Sequence, residues 1–98
     1  LKFNNRDIII QQLEKYDFSK AEITIFAAGS EIAKNWAPRA AKKTIVIDNS
    51  KQFRMDKDVP LVVAEVNPND LKMHKNIIAN PNCSTIQLML PLKPLHDK

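Results

Sequence analysis

The apolar run Ile23-Thr24-Ile25-Phe26-Ala27-Ala28 stops at Gly29-Ser30, and a stretch of helical composition, Glu31 to Lys43, carries the chain to a second apolar run, Thr44 to Asp48. Alternating strand, helix and strand leaves few packings. The second run is nearly all apolar, which suits a strand buried on both faces of a parallel sheet, and parallel neighbours need a crossover of helical length. Ile32, Trp36 and Ala40 share one stripe of the helix, most simply as core packing. Pro38 either interrupts this helix or restarts it at a first turn.

The flanking segments extend the pattern. Leu1 to Phe3 and Asp7 to Ile10 flank Asn4-Asn5-Arg6, which predicts a hairpin. After a charge-dense loop, Asn49 to Pro60, the run Leu61-Val62-Val63-Ala64-Glu65-Val66 predicts a third strand. Asn67-Pro68-Asn69-Asp70 predicts a turn that caps a short helix through His74. Asn76-Ile77-Ile78-Ala79 and Ile86-Gln87-Leu88-Met89-Leu90 then bracket Asn80-Pro81-Asn82-Cys83-Ser84-Thr85, which reads as strand, tight turn, cysteine, helix. The expected fold is α/β, a partial doubly wound, Rossmann-like parallel sheet ending in a cysteine-bearing helix. Ligands of such sheets collect at the carboxyl ends of the strands. Gly29-Ser30, Asn49-Ser50 and Asn82-Cys83 all fall there.

Composition narrows the function classes. Fifteen basic and eleven acidic residues leave a net charge of +4, spread as singles and pairs, so no dense basic block marks a nucleic-acid surface. No apolar run approaches membrane-spanning length. One cysteine makes no internal disulfide and no secretory leader opens the chain, so a reducing, cytoplasmic setting is expected. A core drawn from 98 residues is marginal unless something else supports it. With no initiator methionine at Leu1, the chain is expected to be an internal piece.

Cys83 is the first candidate for chemistry. A thiol in the first turn of a helix faces unpaired backbone N–H groups and the positive end of the helix dipole, which favour thiolate over thiol and so suit a nucleophile. The alternative is that it packs as a small hydrophobe. Metal binding lacks a second cysteine or close histidine to complete a ligand set. Arg54, within Phe53-Arg54-Met55-Asp56, offers a fork of donors for a phosphate or carboxylate; alternatively it is a surface arginine paired with Asp56 or Asp58. His74 and His96 read as exposed, solvated side chains. The turn Ala27-Ala28-Gly29-Ser30 before a helix suits a phosphate or a nicotinamide ring, although one glycine is a weak signal.

Taken together, Phe26-Ala27-Ala28-Gly29-Ser30, Asn35-Trp36-Ala37-Pro38, Val46-Ile47-Asp48-Asn49-Ser50, Phe53-Arg54-Met55-Asp56, Val59-Pro60-Leu61-Val62-Val63 and Asn80-Pro81-Asn82-Cys83-Ser84-Thr85-Ile86-Gln87 resemble aspartate-semialdehyde dehydrogenase. The order and spacing match across essentially the whole chain. The resemblance implies an NADP-dependent oxidoreductase that reduces β-aspartyl phosphate to aspartate-β-semialdehyde, releasing phosphate, on the way to lysine, diaminopimelate, threonine and methionine. It implies Cys83 as the nucleophile that forms an acyl thioester, Arg54 and Asn82 as phosphate or substrate contacts, and Ala28, Gly29 and Asn49 as cofactor-lining residues. It further implies residues 1–82 as the C-terminal part of the NADP-binding domain and 83–98 as the start of the catalytic and dimerisation domain. In the family, the full-length protein is a homodimer or homotetramer acting on small molecules.

Departures from the family accompany the matches. The glycine-rich dinucleotide loop, nearly all of the second domain and the catalytic histidine are not among these residues, and Gln87 is not the family's substrate-binding glutamine. Ala27-Ala28-Gly29-Ser30 stands where relatives usually read Ser-Ala-Gly-Gly, no glycine lies between Lys43 and Thr44, and Pro91 enters a helix that relatives continue. The isolated chain is therefore expected to show little or no turnover. Two alternatives remain at this point: a non-catalytic remnant of a split or decayed gene, and an N-acetyl-γ-glutamyl-phosphate reductase-like enzyme.

Overall fold

The computed structural model describes residues 1–98. Its centre is a three-stranded parallel sheet of β3 (Ile23–Phe26), β4 (Ile45–Asp48) and β5 (Ile77–Ala79), in that spatial order. A two-stranded hairpin, β1 (Lys2–Phe3) and β2 (Arg6–Asp7), precedes it. Helix α1 (Ser30–Ala40) crosses from β3 to β4, and α2 (Cys83–His96) leaves the end of β5. The expected partial doubly wound α/β sheet is present.

Register explains which face holds the core. Thr24 lies opposite Val46, Phe26 opposite Asp48, Val46 opposite Ile77 and Asp48 opposite Ala79. These residues share one face by the period of two, and that face receives α1. Ala33, Ala37 and Ala40 are fully buried at i, i+4 and i+7, so small side chains let the helix axis lie close over Phe26, Val46 and Ala79. Ile32 and Trp36 pack against this cluster, partly buried, and Ala40 lies within it, so the expected stripe is part of the core packing, with the three alanines at its centre. On the opposite face, Ile25, Ile47 and Ile78 stand in one row across the three strands. Ile25 is 70% exposed.

Helix α1 runs through Pro38 without a break. It ends just after Ala40, where the Lys43 and Thr44 N–H groups both return to the Ala40 carbonyl. Asn76 closes the same end from across the sheet: its Nδ2 donates to the Ala41 carbonyl at 2.9 Å while its backbone takes a left-handed φ of 65°. Helix α2 likewise continues through Pro91 and Pro94, and none of its residues is buried.

Two expected strands are shorter than the sequence implies. In the hairpin the turn is Asn4-Asn5, both at positive φ, the conformation of a two-residue type I′ connection, so Arg6 belongs to β2. The Ile8 N–H still donates to the Leu1 carbonyl at 2.7 Å, while Ile9 and Ile10 are exposed. Of the expected strand from Leu61 to Val66, only Leu61 bridges to Ala79. Asn67 curls the rest: its Oδ1 accepts from the Val63 N–H at 2.8 Å and its Nδ2 donates to the Leu61 carbonyl at 2.9 Å. A side chain that satisfies strand donors and acceptors locally removes the need for a ladder. Pro68–Met73 forms a short 3-10 helix ending at His74, as the turn signals imply, although Asn67 does not cap it by its side chain.

Candidate active site

Because Phe26, Asp48 and Ala79 are in register, the segments that follow them emerge at one edge of the sheet. Ala27-Ala28-Gly29 leaves β3, Asn49-Ser50 leaves β4, and Asn80-Pro81-Asn82-Cys83 leaves β5. Neighbouring strands are about 4.8 Å apart, so three loops distant in sequence become one surface. Backbone bonds tie them together. The Asn49 N–H donates to the Phe26 carbonyl at 2.9 Å, and the Asn80 N–H donates to the Asp48 carbonyl at 2.8 Å.

Gly29 starts α1 at φ 92° and ψ 169°, in the part of the map that side chains rarely adopt. A Cβ placed there would meet nothing within 4 Å, so the space beside the helix start is open. Ala27, Ala28 and Gly29 are all exposed. The first-turn N–H groups of α1 are unpaired donors of the kind that receive anionic or carbonyl groups. Open space, exposed backbone and helix donors fit one edge of a dinucleotide. Asn49 lies beside them at the next strand end.

At the third strand end, Asn82 is the N-cap of α2, its Oδ1 accepting from the Ser84 N–H at 2.9 Å. Cys83 is the first residue of the helix and is exposed. It is therefore not packed as a small hydrophobe. Pro81, just before the cap, is buried and fixes the approach of the turn.

Arg54 comes from the loop after β4 and pairs with neither Asp56 nor Asp58. Its Nε donates to the Asn80 carbonyl at 3.0 Å and its Nη2 to the Asn49 carbonyl at 3.4 Å. Asp56 instead accepts from the Asp58 N–H, and Asp58 pairs with Lys75. The loop that presents Arg54 is anchored below by the fully buried Asp48, which accepts from the Ser50 N–H and hydroxyl, and by the buried Phe53. Arg54 and Asn49 are thus joined directly, and Arg54 is joined to the cysteine turn through Asn80. Asn80 had no role assigned from sequence; its side chain donates to Asn49 Oδ1 at 2.8 Å.

Neither histidine reaches this edge. His74 accepts from the Asn76 N–H on the loop entering β5, and His96 lies beside Asp97 at the far end of α2. No three His, Cys, Asp or Glu side chains are grouped as metal ligands, and no helix is long and apolar enough to cross a membrane.

A parallel sheet with an open helix start at one strand end and an exposed thiol at another has the architecture of a dinucleotide-binding α/β domain. Residues 2–74 match the family model described as "Semialdehyde dehydrogenase, NAD binding domain", and the chain belongs to that family. It is 48% identical over 99 residues to the aspartate-semialdehyde dehydrogenase of Vibrio mimicus, a match covering 98% of this chain and 31% of that protein. Its structure resembles the crystal structure of aspartate semialdehyde dehydrogenase II complexed with ASA from Vibrio cholerae, with TM-score 0.94 and 48% identity, covering 99% of this chain and 33% of the other. It also resembles the Candida albicans aspartate semialdehyde dehydrogenase solved with NADP, with TM-score 0.78 and 29% identity over 100% of this chain and 32% of that one. The chain thus spans about a third of the length of these relatives. The matched family model is that of a nicotinamide-dinucleotide-binding domain.

Proposed function

We propose that this chain supplies the cofactor edge and the nucleophile of an aspartate-semialdehyde dehydrogenase that uses NADPH to convert β-aspartyl phosphate to aspartate-β-semialdehyde and phosphate. The observation that carries this is the convergence of Cys83, Asn82, Arg54 and Asn49 on the carboxyl ends of adjacent strands. Relatives solved with ASA and with NADP support the same choice of substrate and cofactor. A cytoplasmic setting suits a lone thiol that must stay reduced.

In this mechanism the Cys83 sulfur attacks the acyl carbon of the aspartyl phosphate. A C–S bond forms, the C–O bond to phosphate breaks, and the phosphate leaves with that electron pair. Arg54 offers its remaining guanidinium donors to the phosphate oxygens, charge against charge. Asn82 holds the helix start and hence the direction from which the thiol approaches. Ala28, Gly29 and Asn49 would line the cofactor. The reduced cofactor, when bound, would supply a hydride to the thioester carbonyl carbon; the C–S bond then breaks, freeing the aldehyde and leaving the thiolate on Cys83. The acid–base group comes from outside these residues, since His74 and His96 both lie away from the strand ends.

Residues 1–82 act as the cofactor-side unit and residues 83–98 open the catalytic unit, a division supported by α2 burying none of its residues here. Assembly as a homodimer or homotetramer belongs to the same proposal. The test is a chimera in which residues 1–98 replace the matching third of the Vibrio cholerae enzyme. NADPH-dependent reduction of β-aspartyl phosphate by the chimera, lost on Cys83→Ser, is the expected result. A folded chimera without that activity, or one indifferent to Cys83→Ser, overturns the proposal.

A further inference from the structure

We infer that Asn80 is a positioning residue, whose side-chain bond to Asn49 holds the Arg54 guanidinium in place to receive a tetrahedral oxyanion beside the Cys83 turn. The inference rests on the proposal above, in which Arg54 meets the phosphate and Cys83 the acyl group.

Arg54 has no carboxylate to orient it. Its two hydrogen bonds go to backbone carbonyls on two different loops, Asn80 at 3.0 Å and Asn49 at 3.4 Å. A guanidinium carries five N–H donors in a rigid plane, so two spent on carbonyls leave three, including both on Nη1, for an anion. Those three point usefully only while both carbonyls keep their separation. Beyond the backbone ties at the strand ends, one side-chain contact joins the two loops: Asn80 Nδ2 donates to Asn49 Oδ1 at 2.8 Å. Asn80, Asn49 and Arg54 therefore form a closed triangle of three hydrogen bonds between loops 31 residues apart in sequence.

The frame extends to the nucleophile. The Asn80 N–H is held by the Asp48 carbonyl at 2.8 Å, and buried Pro81 leaves little slack before the Asn82 cap. Asn80 thus fixes the angle at which the cysteine turn leaves β5 and the plane of the arginine that faces the leaving group. Pre-organisation of this kind raises affinity by lowering the ordering cost of binding. Replacing Asn80 by alanine removes the Asn49 bond while keeping its own carbonyl and N–H. Asn49 is exposed, so Asn49→Ala breaks the same bond from a surface position.

The experiment follows alkylation of Cys83, the only cysteine, by iodoacetamide in the 98-residue chain, with inorganic phosphate varied at constant ionic strength and the product read by mass spectrometry. In the unmodified chain phosphate slows alkylation saturably, and Arg54→Ala removes the effect. Asn80→Ala and Asn49→Ala each raise the half-protecting phosphate concentration about tenfold, and the double variant raises it no further, because all three lack one bond. A purely structural role lowers the unfolding midpoint and leaves the half-protecting concentration unchanged. Protection that needs Arg54 but survives both asparagine variants overturns the inference alone. Absent protection, or protection indifferent to Arg54→Ala, overturns the proposed function and the inference with it.

Discussion

Ser50 donates its hydroxyl to Asp48 Oδ2 at 2.7 Å while its N–H donates to Oδ1 at 3.1 Å, so both oxygens of a fully buried carboxylate are satisfied two residues downstream. The same hydroxyl accepts from the Gln52 N–H, which sets the course of the loop toward Arg54. Ser50→Ala leaves Asp48 Oδ2 buried without a partner, a defect of about 1–3 kcal/mol. Urea unfolding is expected to show that loss, while Ser50→Thr, which keeps the hydroxyl, recovers most of it.

Arg54 bridges two carbonyls through different nitrogens of one planar group, and a lysine has no such geometry. Arg54→Lys keeps the charge but holds one carbonyl at most. It is expected to lower stability by about 1 kcal/mol, read from the urea midpoint. Amide hydrogen exchange at Asn49 and Asn80 is expected to quicken in the same variant, with Phe26 and Val46 unaffected.

The strand-helix-strand centre was legible because its signals are local: an apolar run, one glycine at the turn, and a second apolar run at crossover distance. The third strand was not, since Leu61 to Val66 has strand composition and only the tertiary placement of Asn67 shows that its donors and acceptors are met elsewhere. The alanine stripe of α1 was obscured by the larger Ile32 and Trp36, yet close approach to a sheet rewards the smaller side chains. In the site, Cys83 at the junction of strand, turn and helix could be read from adjacency, whereas the cap made by Asn82 is seen only in the fold. Asn80 could not, because its partner is contributed by the neighbouring strand end.

Asp17 has its carboxyl pKa lowered from 3.8 to about 2, first by the Ser19 hydroxyl and N–H and then by Lys43, which lies at 3.2 Å. A depressed carboxylate adds stability that is complete above the unfolded value of 3.8 and is lost as pH falls toward about 2. Carbon-detected NMR titration is expected to place the Asp17 midpoint in that acidic range. Ser19→Ala is expected to move it upward, and Lys43→Met to move it upward by less, following the order of the causes. A midpoint unmoved by Ser19→Ala would contradict that order.

The two faces of the sheet differ in what covers them, and paired truncations measure the difference. Val46 is fully buried under α1, whereas Ile25 on the opposite face is 70% exposed. Val46→Ala removes two buried methyl groups and leaves a cavity beneath Ala33 and Ala37, at a cost of about 2 kcal/mol. Ile25→Ala removes more carbon but mostly from water, and is expected to cost less than about 0.5 kcal/mol. Urea midpoints of the two variants, compared at equal m-value, check the ordering. Equal losses would mean that the Ile25, Ile47 and Ile78 row is covered in solution by another copy of the chain, and the loss at Ile25 would then grow with protein concentration.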